Sequence, residues 1–243
     1  MKVALCFWGI CRSTDLILKS IESCVFNALK KNGIKYDVYL HTYTIYRSYT
    51  NPRAQEDTIQ LKNSLWKLLK PTKYIVENQD TIDASLKLFN YRTMGNPWPE
   101  DGGSFCTLDN HVRALWSLKK VTELWSESGT DYDAILYLRP DVRYYIPFQM
   151  EWLENLNTYT LKCPDFHLTD GCNDRFALGV PSVAKVFGNR YEGSYEYSLK
   201  KKLHSEEYLA EVLRRNKILV ETIPFRFRRI RANGEVCEAD RNL

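Results

Sequence analysis

Residues 3–40 read VALCFWGICRSTDLILKSIESCVFNALKKNGIKYDVYL, and their pattern sets the fold class. Val3–Phe7 is a short, continuous apolar run of the kind found in buried strands. Residues 13–15 offer polar caps for a helix, whose i, i+3, i+4 apolar spacing continues until the chain reaches Gly33. Tyr36–Leu40 then has the pattern of a second strand. A strand, a helix and a strand in so short a segment predict a βαβ unit, whose right-handed crossover makes the two strands parallel.

Helical and strand patterns continue to alternate beyond this unit. The spacing predicts helices over Ile59–Leu69, over Leu108–Trp125 and after Ser205, and strands over Lys73–Glu77, from Tyr132 onward and over Ile218–Thr222. Residues 90–103 are rich in Gly, Pro, Asn and Asp, which predicts a loop, and Gly95, Gly102 and Gly103 make this loop a candidate flap. The whole pattern predicts an α/β, Rossmann-like domain with a mostly parallel central sheet flanked by helices.

Composition limits the possible classes of function. The chain has 243 residues, of which 44% are hydrophobic, so it can bury one sizeable core and lies near the upper limit for a single domain. Its net charge of +4 is too small to argue for nucleic-acid binding, but it suits a polyanionic small ligand such as a nucleotide diphosphate. The seven cysteines form no CxxC pair, which indicates reduced thiols rather than a disulfide framework or a zinc knuckle.

The sequence also bears on location. Its first residues lack the basic region and apolar stretch of a signal peptide, and no run of about 18 apolar residues occurs. We therefore expect a soluble, cytoplasmic protein without a transmembrane segment, acting in the cytosol or at a membrane face.

Residues 132–145, YDAILYLRPDVRYY, deliver an acidic residue to the end of an apolar strand. Ala134–Leu138 is apolar enough to be a central strand, so Asp141 is expected at the edge of the sheet where α/β proteins bind ligands. A carboxylate there can hold a divalent cation or a ribose hydroxyl, and Arg139 can pair with Asp141 or with a phosphate. The alternative is that Pro140 and Asp141 only shape a turn, with Arg139 in a structural ion pair.

A second polar cluster lies within residues 163–179, CPDFHLTDGCNDRFALG. It brings together Asp165, His167, Asp170, Asn173, Asp174 and Arg175. Such a density of charge is costly to bury unless it is paired or metal-bound. One carboxylate can serve as a general base toward an acceptor hydroxyl, while Asp165 or His167 completes a metal site. The alternative is a polar loop with Asx turns around Gly171, although the apolar residues 176–179 re-enter the core directly afterwards.

Basic residues supply possible phosphate contacts at two further places. Gly9 and Arg12 follow the first strand, where a backbone amide and a guanidinium can approach a phosphate or a base. Neither a GxGxxG fingerprint nor a GxxxxGK loop is present. Phe225–Arg231, FRFRRIR, alternates aromatic and basic residues, so a strand there would face its aromatics inward and its first arginines to solvent. Arg231 is the better candidate for a diphosphate clamp.

Taken together, the segments VALCFWGICR, YDVYLHTY, YDAILYLRPDVRYY, NDRFALG and RIRANG, in this order, resemble a small GT-A-type glycosyltransferase that uses a nucleotide sugar. The resemblance implies one GT-A-like domain over residues 1–243, with a nucleotide-sugar-binding half to about residue 145 and an acceptor-binding half over about 146–243. It implies a donor site made of Gly9, Arg12, Arg139, Asp141 and Arg231. It further implies that Asp174 or Asp170 is the catalytic base and that Asn173 and Arg175 bind the acceptor.

The resemblance also bears on the cofactor. Arg139 stands where the first carboxylate of the family's DxD motif would be. Mn²⁺ or Mg²⁺ would then be held by Asp141, by Asp165 or His167, and by the donor's phosphates. A metal-independent transfer is the alternative, with Arg139 or Arg231 neutralising the leaving diphosphate.

The reaction implied by this resemblance is the transfer of a sugar from a nucleotide diphosphate sugar to an acceptor hydroxyl, for example of a glycan. Its chemistry needs a cation or an arginine to stabilise the departing diphosphate, and a base to remove the acceptor proton. Two other functions are compatible with the sequence. A nucleotidyltransferase usually carries a glycine-rich, basic loop after its first strand, which CFWGICRST matches poorly, and a noncatalytic carbohydrate-binding module would suit the many tyrosines.

Overall fold

The computed structural model describes residues 1–101 and 103–243, which fold around a seven-stranded sheet. The strands are β1 (Lys2–Trp8), β2 (Lys35–Thr44), β3 (Tyr49–Asn51), β4 (Glu56–Ile59), β5 (Lys73–Asn78), β6 (Ala134–Leu138), β7 (Val142–Tyr144), β8 (Thr160–Pro164), β9 (Ala177–Gly179), β10 (Leu219–Ile223) and β11 (Phe227–Arg229). The α-helices are α1 (Thr14–Ile21), α2 (Asn27–Lys31), α3 (Gln79–Leu86), α4 (Cys106–Ser126), α5 (Pro181–Gly188), α6 (Tyr191–Ser198) and α7 (Ser205–Arg215). Short 3₁₀ helices occur at Pro52–Ala54, Leu65–Leu69, Leu88–Arg92, Pro99–Asp101, Met150–Leu153 and Glu238–Asp240.

The strand order of the sheet is β10-β8-β9-β6-β1-β2-β5. Its strands all run in one direction except β9, which is antiparallel to both of its neighbours, β6 and β8. The predicted α/β class with a mostly parallel sheet is therefore confirmed. The chain moves outward from β1 to β2 and β5, and then returns with β6 to the other side of β1. The carboxyl ends of β1 and β6 flank this reversal, which is where open α/β sheets bind ligands.

The side chains of β1 alternate between two hydrophobic cores, one on each face of the sheet. Leu5 packs in one core with Ile17 and Ile21 of α1, whereas Cys6 packs in the other with Leu115 of α4. Because successive side chains of a strand point to opposite faces, a strand covered by helices on both sides is apolar throughout. This is the physical reason for the continuous apolar run that begins the sequence.

The first predicted helix is confirmed, with one wide turn inside it. The π-helical segment Glu22–Phe26 lies between α1 and α2. Ser13 occupies the N-cap position, but its hydroxyl makes no capping hydrogen bond and donates instead to the carbonyl of Ile230 at 2.9 Å. Thr14 likewise donates to the carbonyl of Pro140 at 2.9 Å. The start of this helix is thus tied to the end of β6 and to a distant part of the chain.

The helix predicted over Ile59–Leu69 is wrong for most of its length. Ile59 ends β4, and only Leu65–Leu69 forms a 3₁₀ helix. Asn63 explains the difference, because its side chain accepts a hydrogen bond from the N–H of Ile45 at 2.8 Å and donates to the carbonyl of Ile45 at 3.1 Å. These long-range bonds hold the segment beside the end of β2 in place of a helical turn.

Several other elements refine the sequence predictions. The predicted loop over residues 90–103 contains parts of two 3₁₀ helices, and Gly102 lies outside the described residues. The pattern did not predict β3, β4, β7, β8, β9, α3, α5 or α6. The alternation in FRFRRIR is confirmed, because Phe225 and Phe227 are buried and β11 pairs in antiparallel fashion with β7.

The seven cysteines are free thiols, and all but Cys106 are buried. Within residues 1–101 and 103–243, no helix combines the length and the apolar character that a membrane span needs.

Gly188, the last residue of α5, lies against α4 and β6 without room for a side chain. A Cβ atom there would overlap Thr122 Oγ1 and Tyr137 Oη, two hydroxyl groups hydrogen bonded to each other at 2.6 Å. We expect Gly188→Ala to lower the free energy of unfolding by at least about 2 kcal/mol, because overpacking forces these buried groups apart. Urea denaturation followed by circular dichroism measures the change.

Gly193→Ala in α6 is the matched control. A Cβ atom at Gly193 would meet Tyr208 Oη at 3.1 Å, which asks for a small adjustment, and alanine is the better helix former. We expect little change in the stability of this variant. Equal destabilisation by the two substitutions would contradict the close approach at Gly188.

Candidate functional site

A cavity of about 500 Å³, here called the central cavity, opens at the carboxyl ends of β1 and β6. Its wall also includes the first turns of α4 and parts of residues 229–241. A volume of this size is typical of small-molecule sites. Among the described residues that line it are seven arginines (Arg12, Arg113, Arg139, Arg175, Arg229, Arg231 and Arg241) and four acids (Glu100, Asp174, Glu235 and Glu238). The lining therefore favours anionic ligands.

Gly9 turns the chain out of β1 and leads it toward Arg12. Its φ of +93° lies in the region that favours glycine, and its N–H donates to Ser117 Oγ at 2.8 Å. No described atom lies within 4 Å of the place that a Cβ would occupy. Gly9 and Arg12 both line the central cavity, and their contact with a ligand stays a prediction.

Asp141 lies behind the cavity wall and is 1% exposed. It accepts hydrogen bonds from Arg12 Nε and Nη2 at 3.2 and 3.0 Å, and from Arg139 Nε and Nη2 at 2.8 and 2.7 Å. Arg12 Nη1 also donates to the buried Glu56 at 2.6 Å. Burial alone would raise the pKa of Asp141, but Arg139 and Arg12 hold that pKa well below its ordinary value. Asp141 therefore stays ionised and fixes both guanidinium groups.

The same arrangement, an arginine on the wall with an acid behind it, occurs twice more. Arg229 donates to both carboxylate oxygens of Asp240, from Nε at 2.9 Å and from Nη2 at 2.7 Å. Arg113 donates to Asp83 in the same two-bonded way, at 2.7 and 2.9 Å. A guanidinium held by two parallel bonds has a fixed plane and presents its remaining N–H groups in a fixed direction.

Arg231 and Arg175 differ from the other arginines just described. Arg231 Nη2 donates to the thiol sulfur of Cys237 at 2.9 Å, and no carboxylate of a described residue makes a salt bridge with it. Arg175 Nη2 lies 3.4 Å from Glu206 Oε1, and its Nη1 is buried without a hydrogen-bond partner among the described residues. Compared with Arg12, Arg113, Arg139 and Arg229, these two guanidiniums keep more N–H groups for a ligand.

Asp174 is a carboxylate of the cavity lining that makes no hydrogen bond or salt bridge with any described residue. Burial would raise the pKa of Asp174, but the nearby positive charges, that of Arg175 first, lower that pKa below its ordinary value. The side chain is therefore ionised at neutral pH. Both of its oxygens are left to accept a hydrogen bond from a ligand.

Asp170 and Asn173 lie outside the lining of the cavity. Asp170 is exposed, in a turn where its φ is +50°. Asn173 is fully buried, and it donates to the carbonyl of Phe166 at 2.7 Å while accepting from the N–H of Arg175 at 2.9 Å. Of the four residues predicted for catalysis and acceptor binding, the fold thus brings Asp174 and Arg175 to the cavity. Asn173 holds the backbone of Arg175 in place.

The predicted metal ligands are engaged by different parts of the protein. Asp141 binds two arginines, Asp165 pairs with Arg226 through an Nη2–Oδ2 distance of 3.1 Å, and His167 Nε2 lies 3.2 Å from Asp240 Oδ1. Within the described ranges, no three His, Cys, Asp or Glu side chains are grouped as a metal ion would require. The three residues thus do not form one donor set, and their binding of Mn²⁺ or Mg²⁺ stays a prediction.

Trp8 and His111 line the cavity but were not predicted as site residues. Trp8 Nε1 and His111 Nε2 are buried without a partner among the described residues, and Arg139 lies over the Trp8 ring at 5.3 Å from its centroid. Burial lowers the pKa of His111 to about 4, so its ring is neutral at neutral pH. The sequence signal for His111 was its polar side chain next to Val112 in the apolar pattern of α4.

The sequence matches no protein-family model and no curated protein with which it was compared. The geometry of the central cavity and the order of the sequence segments are therefore the basis for a functional proposal.

We expect Asp141→Asn to lower the free energy of unfolding at pH 7 by about 3–5 kcal/mol, because Arg12 and Arg139 lose a buried counter-charge. The lowered pKa of Asp141 means that its contribution is complete above the ordinary aspartate pKa of about 3.9 and is lost as the pH falls below it. The stability difference between wild type and variant should therefore shrink in acid. Urea denaturation at pH 7 and pH 3 checks both parts.

Asp165→Asn is the matched control, since Asp165 and its partner Arg226 are each about a third exposed. Exposed pairs contribute less than about 1 kcal/mol, so this variant should stay close to wild type. A similar loss of stability in both variants would contradict the special position of Asp141.

Proposed function

We propose that this protein is a glycosyltransferase of the GT-A type, which transfers a sugar from a nucleotide diphosphate sugar to an acceptor hydroxyl. One observation carries the proposal: a wall of oriented arginines and a carboxylate without a fixed partner, Asp174, face the same cavity at the reversal point of the sheet. Arginines can stabilise the negative charge of the departing diphosphate, and the carboxylate can accept the proton of the acceptor hydroxyl.

Arg139 and Arg231 are the proposed contacts of the donor diphosphate. Arg139 is fixed on one edge by Asp141 and on its face by Trp8, so its Nη1 is available to phosphate oxygens. Arg231 is held only by the thiol of Cys237 among the described residues. Oriented guanidiniums in a partly closed site stabilise developing negative charge without having to reorganise during the reaction. Arg12 contributes mainly by holding Asp141 and Glu56.

Asp174 is the proposed base. It accepts the proton of the acceptor hydroxyl as the acceptor oxygen forms a bond to the anomeric carbon of the donor sugar. At the same carbon, the bond to the diphosphate oxygen breaks, and the electron pair leaves with the diphosphate. The low pKa of Asp174 keeps it unprotonated and ready to accept, although it is a weak base before the acceptor proton becomes acidic in the transition state.

The positive charge for this transfer comes from arginine in our proposal. Both oxygens of Asp141 are engaged by guanidiniums, and Asp165 and His167 do not line the central cavity. Arg139 and Arg231 on the cavity wall supply the two guanidiniums that contact the diphosphate. We therefore expect that donor binding does not need Mn²⁺.

A thermal-shift panel of nucleotide diphosphate sugars identifies the donor, because a ligand that binds only the folded state raises the melting temperature. Calorimetry with the selected nucleotide diphosphate then compares wild type with Arg231→Gln, in Mn²⁺ and in EDTA. We expect the variant to bind at least about tenfold more weakly, since charge-assisted hydrogen bonds are lost. EDTA should leave the affinity of wild type unchanged.

Arg226→Gln is the control for this experiment, because Arg226 pairs with Asp165 and does not line the cavity. It should bind like wild type. Binding that disappears in EDTA and is unchanged in Arg231→Gln would overturn the arginine assignment and favour a metal-dependent site.

Asp174→Asn should reduce sugar transfer at least about a hundredfold, because the acceptor proton has no base, while donor affinity stays near that of wild type. Product formation is followed by mass spectrometry with the donor chosen above and a panel of sugar acceptors. Asp170→Asn is the matched control, since asparagine tolerates the left-handed backbone of residue 170. Full activity in Asp174→Asn would remove Asp174 from the role of base.

Mass spectrometry with other substrates distinguishes the two other functions. Release of pyrophosphate when a nucleoside triphosphate replaces the sugar donor would indicate a nucleotidyltransferase. Binding of a sugar without any transfer or donor hydrolysis would indicate a carbohydrate-binding module.

A further inference from the structure

We infer that the central cavity binds two anionic groups, and that the second one, at Arg175, is an acidic group of the acceptor. The acceptor would therefore be a sugar or similar polyol that carries a carboxylate or a phosphate. Its assignment to the acceptor depends on the proposed function, because the first anionic group is taken to be the donor diphosphate at Arg231 and Arg139.

The first argument is the pattern of counter-charges behind the wall. Arg12, Arg113, Arg139 and Arg229 each make hydrogen bonds to a carboxylate. For Arg231, Arg175 and the exposed Arg241, no such hydrogen bond to a carboxylate occurs among the described residues. Arg175 has only the 3.4 Å ion pair with Glu206, and a guanidinium in a partly buried wall gains from an anion that bonds it more closely.

The second argument is the geometry of Arg175 itself. Its backbone is fixed by Asn173, and its side chain is 14% exposed, with Nη2 at 3.4 Å from Glu206 Oε1. Nη1 is buried and has no partner among the described residues. Leaving a buried charged donor unsatisfied is costly, so Arg175, which lines the cavity, gains from a bond to a ligand oxygen there.

The third argument is the local charge balance. Burial and the nearby charge of Asp174 raise the pKa of Glu206, so the acid paired with Arg175 holds its negative charge less firmly. Burial and the charge of Arg229 lower the pKa of Arg175. A guanidinium whose positive charge is disfavoured in this way is stabilised when an anion lies beside it.

Asp174 is next to Arg175 in the chain. One acceptor molecule can therefore place its acidic group at Arg175 and its reacting hydroxyl at Asp174. An anion is repelled by the carboxylate of Asp174 and attracted by Arg175, whereas a hydroxyl can donate to Asp174. His111 Nε2, also without a described partner, lies on the same wall and can bond a further polar group of that molecule. An acceptor with an acidic group would be held at Arg175 with a hydroxyl turned toward Asp174.

The test is a two-step calorimetric titration of the full chain. Wild type is first saturated with pyrophosphate and then titrated with glucuronate, with glucose 6-phosphate and with glucose. We expect glucuronate, glucose 6-phosphate or both to bind to the saturated protein, and glucose to bind at least about tenfold more weakly because it makes no charge-assisted bond. The comparison of the two anions distinguishes a carboxylate from a phosphate as the natural group.

Arg175→Gln should weaken this second binding at least about tenfold and leave the affinity for pyrophosphate near that of wild type, whereas Arg231→Gln should do the reverse. Melting temperatures show whether both variants are folded. If Arg175→Gln does not fold, the titration of wild type with the two anions and glucose decides whether a second anionic group binds. Displacement of pyrophosphate by the second anion, or equal binding of glucose, would overturn the inference.

A failure of the glycosyltransferase proposal gives a different result. In that case no nucleotide sugar donates a sugar to any acceptor, while the second anion still binds at Arg175. The two proposals can thus fail separately.

Discussion

The carboxylate of Asp141 binds Arg12 and Arg139 at once, in a position that is almost closed to solvent. Its backbone carbonyl accepts from the N–H of Ile230 at 2.8 Å, and Ser13 bonds to the carbonyl of the same residue. The loop after β1, the end of β6 and the segment around residue 230 therefore meet at one acidic residue. Because a buried charge needs its partners, this contact fixes where the arginines on the cavity wall can lie.

Much of the fold could be predicted because local pattern and final burial agree. The run Val3–Phe7 is apolar since both faces of β1 are covered, and α4 shows its helical spacing over a long stretch. The pattern failed where distant contacts decide the structure. Asn63 draws its segment to Ile45 in place of a helical turn, and β9 has only three residues, too few to show a period or a direction.

The residues that line the central cavity were only partly predictable. The fold brings Gly9, Arg12, Arg139, Arg231, Asp174 and Arg175 to the cavity lining, since strand ends and core re-entry points can be read from the chain. The place of Asp141 at a strand end and its pairing with Arg139 were also readable, but its second partner, Arg12, depends on packing. The role of Glu56 was not readable, because its partner Arg12 is 44 residues away and its own segment has no clear pattern. The neutral state of His111 likewise depends on burial, which one sequence position does not reveal.

Arg229 and Asp240 come late in the chain, which affects when the cavity can form during synthesis. Residues 227–241 supply one strand against β7 and three arginines of the cavity, Arg229, Arg231 and Arg241, and the ribosome adds them after every other part of the wall. A nascent chain can complete the βαβ unit early, through local contacts, but contacts of large sequence separation form late. Synthesis therefore produces a stable scaffold first and a charged, ligand-competent cavity only once this segment has docked.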